Sequence, residues 1–118
     1  MTEGSKLLGD RVKRYPAPPH VVFEALTDTE GFEEWLHQAP GEIRPVILEA
    51  VAPAHVVWAS LWPVSPTDTV EFDIRPYLAG TDLRFRWWSD HPPDSRGIAI
   101  TRQRLSRYFG DNLRALAG

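Results

Sequence analysis

The sequence predicts an α+β fold: an antiparallel sheet of about five strands wrapped round a long C-terminal helix, with two short helices after the first strand. Three observations predict it. Residues 69–75 alternate strictly, with Val70, Phe72 and Ile74 on one face and Glu71, Asp73 and Arg75 on the other, the pattern of an antiparallel strand with one wet side. Residues 81–88 repeat it, with Leu83, Phe85 and Trp87 inward against Arg84 and Arg86, so the two segments are natural hairpin partners. From Asp94 or Ser95 to Ala117 the apolar residues Leu105, Phe109, Leu113 (or Asn112) and Leu116 recur at helical spacing, with Arg102, Arg104, Arg107 and Arg114 left to water.

The other elements follow in chain order. Residues 1–9 are polar and contain glycine, so a frayed start is expected, leading into a strand at about 10–15. Pro16, Pro18 and Pro19 lack the amide proton that a ladder needs, yet proline suits the first turn of a helix. A helix is therefore expected from about Pro19 to Thr27, with Val22, Phe23 and Leu26 on its apolar side. Thr27 and Glu30 have the spacing of a capping box, which predicts a second helix of about two turns reaching His37, with Phe32, Trp35 and Leu36 inward. Pro40 and Gly41 break that pattern, and Pro45 delays the next strand to about 46–51. A turn at Pro53 leads into a strand at 55–62. Gly110, inside the last helix at a cost of about 1 kcal/mol, predicts a local bend.

Composition narrows the function classes. A length of 118 residues fits one domain, spanning 1–118. The formal net charge of -3, with Lys and Arg dispersed among Asp and Glu, offers no face for a run of phosphates, so nucleic acid is not an expected partner. No apolar run approaches the roughly 18 residues a membrane helix requires, nor is there a signal-peptide core; a cytoplasmic protein without membrane partners is expected. The absence of cysteine excludes disulfides, thiolate zinc sites and cysteine nucleophiles.

The stretch from Pro18 and Pro19 through His20, Val21, Val22, Phe23, Glu24, Ala25, Leu26, Thr27 and Asp28, followed by Gly31, Phe32 and Trp35, resembles the opening of the START-like superfamily. That superfamily is also called SRPBCC or polyketide cyclase/dehydrase-like, and the likeness is closest to its branch of heat-shock ATPase activator homologues. Residues 46–51 before the Pro53 turn, Gly80 and Thr81 opening the last strand, and the C-terminal helix extend the resemblance over nearly the whole chain. It implies a helix-grip fold with an apolar pocket between sheet and terminal helix, and lipids, polyketides or other hydrophobic molecules as ligands. One departure stands out: members usually carry another hairpin before the strand at 46–51, where this chain has only residues 41–45. Five strands instead of seven imply a thinned pocket wall and an open sheet edge that a second copy could cover, making a homodimer. Trp62, Trp88 and the edge at 46–51 are the places where such a partner is expected.

Trp35, Trp58, Trp62, Trp87 and Trp88 are dense for this length, and aromatic walls hold planar or lipid-like ligands by area and stacking. The same rings would equally fill a core. The pocket candidates are Trp35, Trp58, Ser60, Phe72, Ile74, Phe85, Trp87, Leu105, Tyr108 and Phe109. Ser60 is included on the parity it would share with Trp58 and Trp62 in a continuous strand, and no acid or base is placed to make it a nucleophile. Tyr108 is the one titratable group the pattern puts inside, and cyclase or dehydratase chemistry would have to use it; catalytic residues are otherwise unassigned. Glu33 and His37 share a helix face at i, i+4, but spacing supplies no third ligand, so neither a metal nor a cofactor is expected. His20, His55 and His91 stand outside any such pattern. Arg84, Arg86 and Arg75 are expected to pair with Glu71 and Asp73 across the hairpin. A hydrophobic small-molecule-binding domain is the leading expectation, with an enzyme of the cyclase type and a protein-interaction module as alternatives.

Overall fold

The structure, a computed structural model, describes residues 4–117, the side chains of Leu116 and Ala117 excepted. The expected frayed start therefore lies partly outside the described residues, as does the inward side chain of Leu116. Five strands form one antiparallel sheet: β1 (Lys6–Tyr15), β2 (Ile47–Val51), β3 (His55–Ala59), β4 (Thr69–Tyr77) and β5 (Gly80–Ser89). Their order across the sheet is β1-β5-β4-β3-β2, so β1 and β2 are the edges. Between β1 and β2 lie the helices α1 (Pro19–Thr27) and α2 (Phe32–Trp35). The terminal helix is α3 (Ser95–Arg107), a π-helical turn at Tyr108–Asn112, and α4 (Leu113–Ala117).

The register lines up inner-face rows across the sheet. Trp58, Val70 and Trp87 form one row, and Val56, Phe72 and Phe85 the next. Ile74 and Leu83 begin a third. All are buried, and α3, the π turn and α1 cover them with Leu105, Tyr108, Phe109, Val22 and Leu26. On the other face one of the expected pairings forms, one changes partner, and Arg75 makes no ion pair among the described residues. Arg86 pairs with Glu71 and Asp73, but Arg84 reaches across to Asp10 of β1 at 2.6 Å. His55 bonds Asp73 at 2.9 Å, and Trp88 Nε1 donates to Glu71 at 3.2 Å, so Trp88 lies over this charged face.

Several boundaries differ from the sequence reading for identifiable reasons. Strand β1 begins at Lys6, well before residue 10, because β5 is long enough to pair it through Ser89. Thr27 makes no capping box: its hydroxyl donates back to Phe23 O at 2.8 Å, while Asp28 Oδ1 accepts from Gly31 N. Without that cap α2 is a single turn, and His37 lies beyond it with φ +49°. Glu33 pairs with Arg44 rather than sharing a ligand with His37. Strand β3 stops at Ala59, because Ser60 Oγ both donates to Trp62 O and accepts from Trp62 N, closing a turn where the strand was expected to continue. Asp94 does cap α3, accepting from Gly97 N at 2.8 Å. The bend expected at Gly110 takes the form of the π turn around it.

The terminal helix closes the core, and Leu105 is its first fully covered residue. Leu105→Asp puts an unpaired charge at a position only 2% exposed. Thermal unfolding followed by circular dichroism should lose its cooperative transition; a sharp transition in this variant would mean that the helix is an appendage to an independently stable sheet.

Candidate functional site

The aromatic candidates converge, but on each other. Trp58 sits with ring centroids 5.0 Å from Phe32, 4.8 Å from Phe72, 5.4 Å from Phe109 and 6.3 Å from Trp35. Phe109 lies 4.8 Å from Phe72 and 5.1 Å from Phe85. These are edge-on and tilted packings of the kind that stabilise a core beyond area burial alone. The indole of Trp58 donates to Leu26 O at 2.7 Å, which fixes the end of α1 on the sheet. Ile74 is buried on the same inner face. Ser60 is buried just past the end of β3, and its hydroxyl is used in the turn with Trp62.

Two buried carboxylates bound this core, and sequence reasoning singled out neither. Glu42, in the loop after α2, has a side chain only 2% exposed. It accepts from the Tyr108 hydroxyl, from Trp62 Nε1 at 2.7 Å and from Ala39 N at 3.0 Å. Burial, reinforced by the bond to Glu42, pushes the Tyr108 phenol up to about 12, so it stays a protonated donor at neutral pH. Trp62 is thereby drawn inward, 5.6 Å from the Trp87 ring, not laid on an outer face. Asp68, the second carboxylate, accepts from Trp87 Nε1 at 3.0 Å, while its Oδ1 is buried without a hydrogen-bond partner. Burial raises its pKa above the ordinary carboxylate range; hydrogen bonds from Ser89 and Trp87 work against that, and Asp90 adds to it. Among the described residues no group of three or more His, Asp or Glu side chains is placed to hold a metal ion.

Open space lies at the edge of the core, between β1 and α3. The ladder between β1 and β5 slips between Leu7 and Gly9, lifting the start of β1 from its neighbour's register. Gly9, opposite Trp87, adds no side chain to the inner row there. The result is a solvent-open cleft of about 480 Å³, lined by Leu7, Leu8, Gly9, Asp10, Arg11, Phe85, Arg102 and Leu105. Arg102 spans it, donating through Nε to Leu8 O. Of the sequence candidates, Phe85 and Leu105 line this cleft; Trp35, Trp58, Ser60, Phe72, Ile74, Trp87, Tyr108 and Phe109 do not. The signal missed was in β1: counting inward positions back from Tyr15 gives Lys13, Arg11 and Gly9, a run with no apolar side chain.

A sheet of this order, closed by a terminal helix against its inner face with two short helices after the first strand, is the helix-grip arrangement. Solved structures carry the same architecture. CalU16 of Micromonospora echinospora superposes with a TM-score of 0.71 at 18% identity, over 91% of this chain and 71% of that one. A protein of Chromobacterium violaceum gives 0.73 at 15%, over 97% of each chain. The Aha1 dimer of Colwellia psychrerythraea gives 0.67 at 16%, over 85% and 88%. The fold is START-like. At these identities the likeness is one of architecture. No family model and no curated protein matches the sequence. Relative to the START-like expectation of an internal pocket, the aromatic rings here occupy the centre and the cleft lies at the sheet margin.

The raised pKa of Asp68 has a signed consequence. A carboxyl whose folded pKa exceeds its unfolded value contributes stability below the ordinary carboxylate range and loses it as pH rises through the folded value. Asp68→Asn should therefore be more stable than the wild type near pH 7. The difference should close on acidification, as read by melting temperature against pH. A D68N variant less stable at every pH would mean that the carboxylate's bonds to Trp87 and Ser89 outweigh its desolvation.

Proposed function

We propose that the chain is a single START-like domain, residues 1–118, that binds a hydrophobic small molecule without transforming it, at the cleft between β1 and α3. The observation that carries this reading is the apolar floor of the cleft. Leu7, Leu8, Phe85 and Leu105 line one open volume of about 480 Å³, within the range of small-molecule sites. Leu8, Phe85 and Leu105 belong to the core itself, whereas Leu7 is 44% exposed. Ligand contact is assigned to Phe85 and Leu105 among the sequence candidates, and the other candidates form the rigid wall behind them. Lipid-like or polyketide-like molecules are the ligand class. A cyclase or dehydratase reading is less well supported. The Tyr108 hydroxyl it would require is engaged by Glu42 in the interior, and neither residue lines the cleft. No helix among the described residues is long and apolar enough to cross a membrane, and a cytoplasmic location is part of this proposal.

Amide chemical shifts provide the test. A panel of neutral acyl and aromatic compounds should shift the resonances of Leu7, Gly9, Arg102 and Leu105 saturably, and Leu7→Glu should weaken binding about tenfold while leaving the melting temperature nearly unchanged. A panel that leaves these resonances in place overturns the reading.

A second reading, that of an interaction module, is favoured by edge strand β2. Leu48 and Val51 are 58% and 53% exposed there, and Val46 just before it 63%, on a strand paired on one side only. Such an edge is a template for pairing, and a second copy of the chain is its proposed occupant. Sedimentation at micromolar concentration should give a dimer that Leu48→Lys dissociates; a monomer mass for the wild type ends this second reading.

A further inference from the structure

The cleft continues along β1 into a second volume of different character. About 280 Å³ is lined by Arg11, Lys13, Arg102, Gln103, Ser106, Arg107 and Asp111, and Arg11 and Arg102 belong to both halves. The register explains how cations come to face the helix. Arg11 pairs with Phe85 and Lys13 with Leu83, both inner-face residues, whereas Val12, 56% exposed, pairs with Arg84 of the outer face. Cross-strand partners share a face, so β1 turns its cations toward α3 and its valine toward water, the reverse of what burial favours. On the opposite wall α3 presents Arg102 and Arg107. None of these four side chains forms an ion pair with a described residue, although the same sheet edge saturates Arg14 with Asp82 and Arg84 with Asp10.

Four cations line this volume from two facing walls, with Asp111 the one carboxylate in the lining. They do so in a chain whose formal net charge is -3. Like charges converge at a cost unless a counter-charge is taken up between them. Asp10, at the apolar end, is unavailable for this: the Arg84 guanidinium holds it with bonds of 2.8 and 2.6 Å and lowers its pKa. From Leu7 to Lys13 the strand spans roughly 20 Å, so one extended molecule can lie along both halves.

We propose that the ligand of this cleft is a single-tailed anionic amphipath, its acyl or aryl tail on Leu7, Leu8, Phe85 and Leu105 and its carboxylate or phosphate head between Arg11, Lys13, Arg102 and Arg107. This inference rests on the ligand-binding reading above and adds the head group to it. Guanidinium groups from two walls suit a head with several acceptor oxygens, because each offers paired donors in a planar fork. Serine and glutamine, at Ser106 and Gln103, supply neutral donors in the same lining.

Calorimetric titration below micelle-forming concentrations tests it with dodecyl phosphate, dodecanoate, dodecanol, inorganic phosphate and vesicles containing anionic lipid. Dodecyl phosphate and dodecanoate should bind about thirtyfold more tightly than dodecanol. Their affinity should fall as salt rises from roughly 50 to 300 mM while that of dodecanol holds. Lys13→Glu combined with Arg107→Glu, two residues that line only the charged half, should remove the advantage of the charged heads and leave dodecanol unaffected. If the double reversal does not fold, Lys13→Gln with Arg107→Gln should reduce the same advantage about tenfold. Equal binding of dodecanol and dodecyl phosphate, unmoved by either pair, overturns the anionic head and leaves the apolar-ligand reading intact. No binding by any dodecyl compound overturns both. Inorganic phosphate binding as tightly as dodecyl phosphate would mean two unconnected halves. Binding to vesicles without binding to the monomeric compounds would replace the cleft by a membrane-surface site; either result overturns the proposal.

Discussion

The distance between the terminal helix and the sheet is set by one side chain. The Phe109 ring packs within 4.8 to 6.3 Å of the rings of Phe72, Phe85, Trp58 and Trp35, so it holds the helix, α2 and three strands to a common centre. A regular α-helix turns consecutive residues about 100° apart, which cannot bury three in succession on one face. Tyr108, Phe109 and Gly110 are all buried. The π turn at Tyr108–Asn112 makes that possible, widening the helix where it crosses the middle of the sheet. The stem of Lys13 lies against the helix at Gly110.

Around this contact the centre is filled by aromatic rings, and the loop at residues 41–45 packs against it. Glu42 is folded inward from that short loop and ties it to Tyr108 and Trp62. The loop thus closes the narrow end of the grip with a hydrogen-bonded plug. The cleft opens where β1 loses register and Gly9 withholds a side chain, and one half of it is bordered by charge instead of more hydrocarbon.

Elements governed by local periodicity were legible in the sequence; those governed by distant partners were not. The alternation in β4 and β5 identified the inner row correctly because both strands run unbroken beside a buried face, and Pro19 marked the start of α1. Asp94 is likewise a local signal with a local bond. Glu42 gave no such signal, since its partners Trp62 and Tyr108 lie far along the chain. Ser60 lies past the end of β3, where strand parity no longer governs, and its bonds are those of a turn with Trp62. Thr27 had the spacing of a cap but found a carbonyl of the preceding turn closer at hand. The inward cations of β1 were legible in principle by counting from Tyr15, but a strand thought to begin at residue 10 hid the irregularity at Leu7 and Gly9 that opens the cleft beside them.

Strand β2 is bonded on one side, and every residue of it but Ile47 is exposed. Its attachment to β3 is therefore the weakest ladder in the sheet by burial, and local opening free energy follows burial. Amide protons of β2 should be the first of the sheet to exchange with solvent, long before the central pairs of β4 and β5. When β2 swings away, the new margin is β3, whose Val56, Val57 and Trp58 are all buried in the closed state. The sheet thus keeps an exposed strand as a cover over an apolar one, and each opening of β2 would bare that strand's edge to solvent.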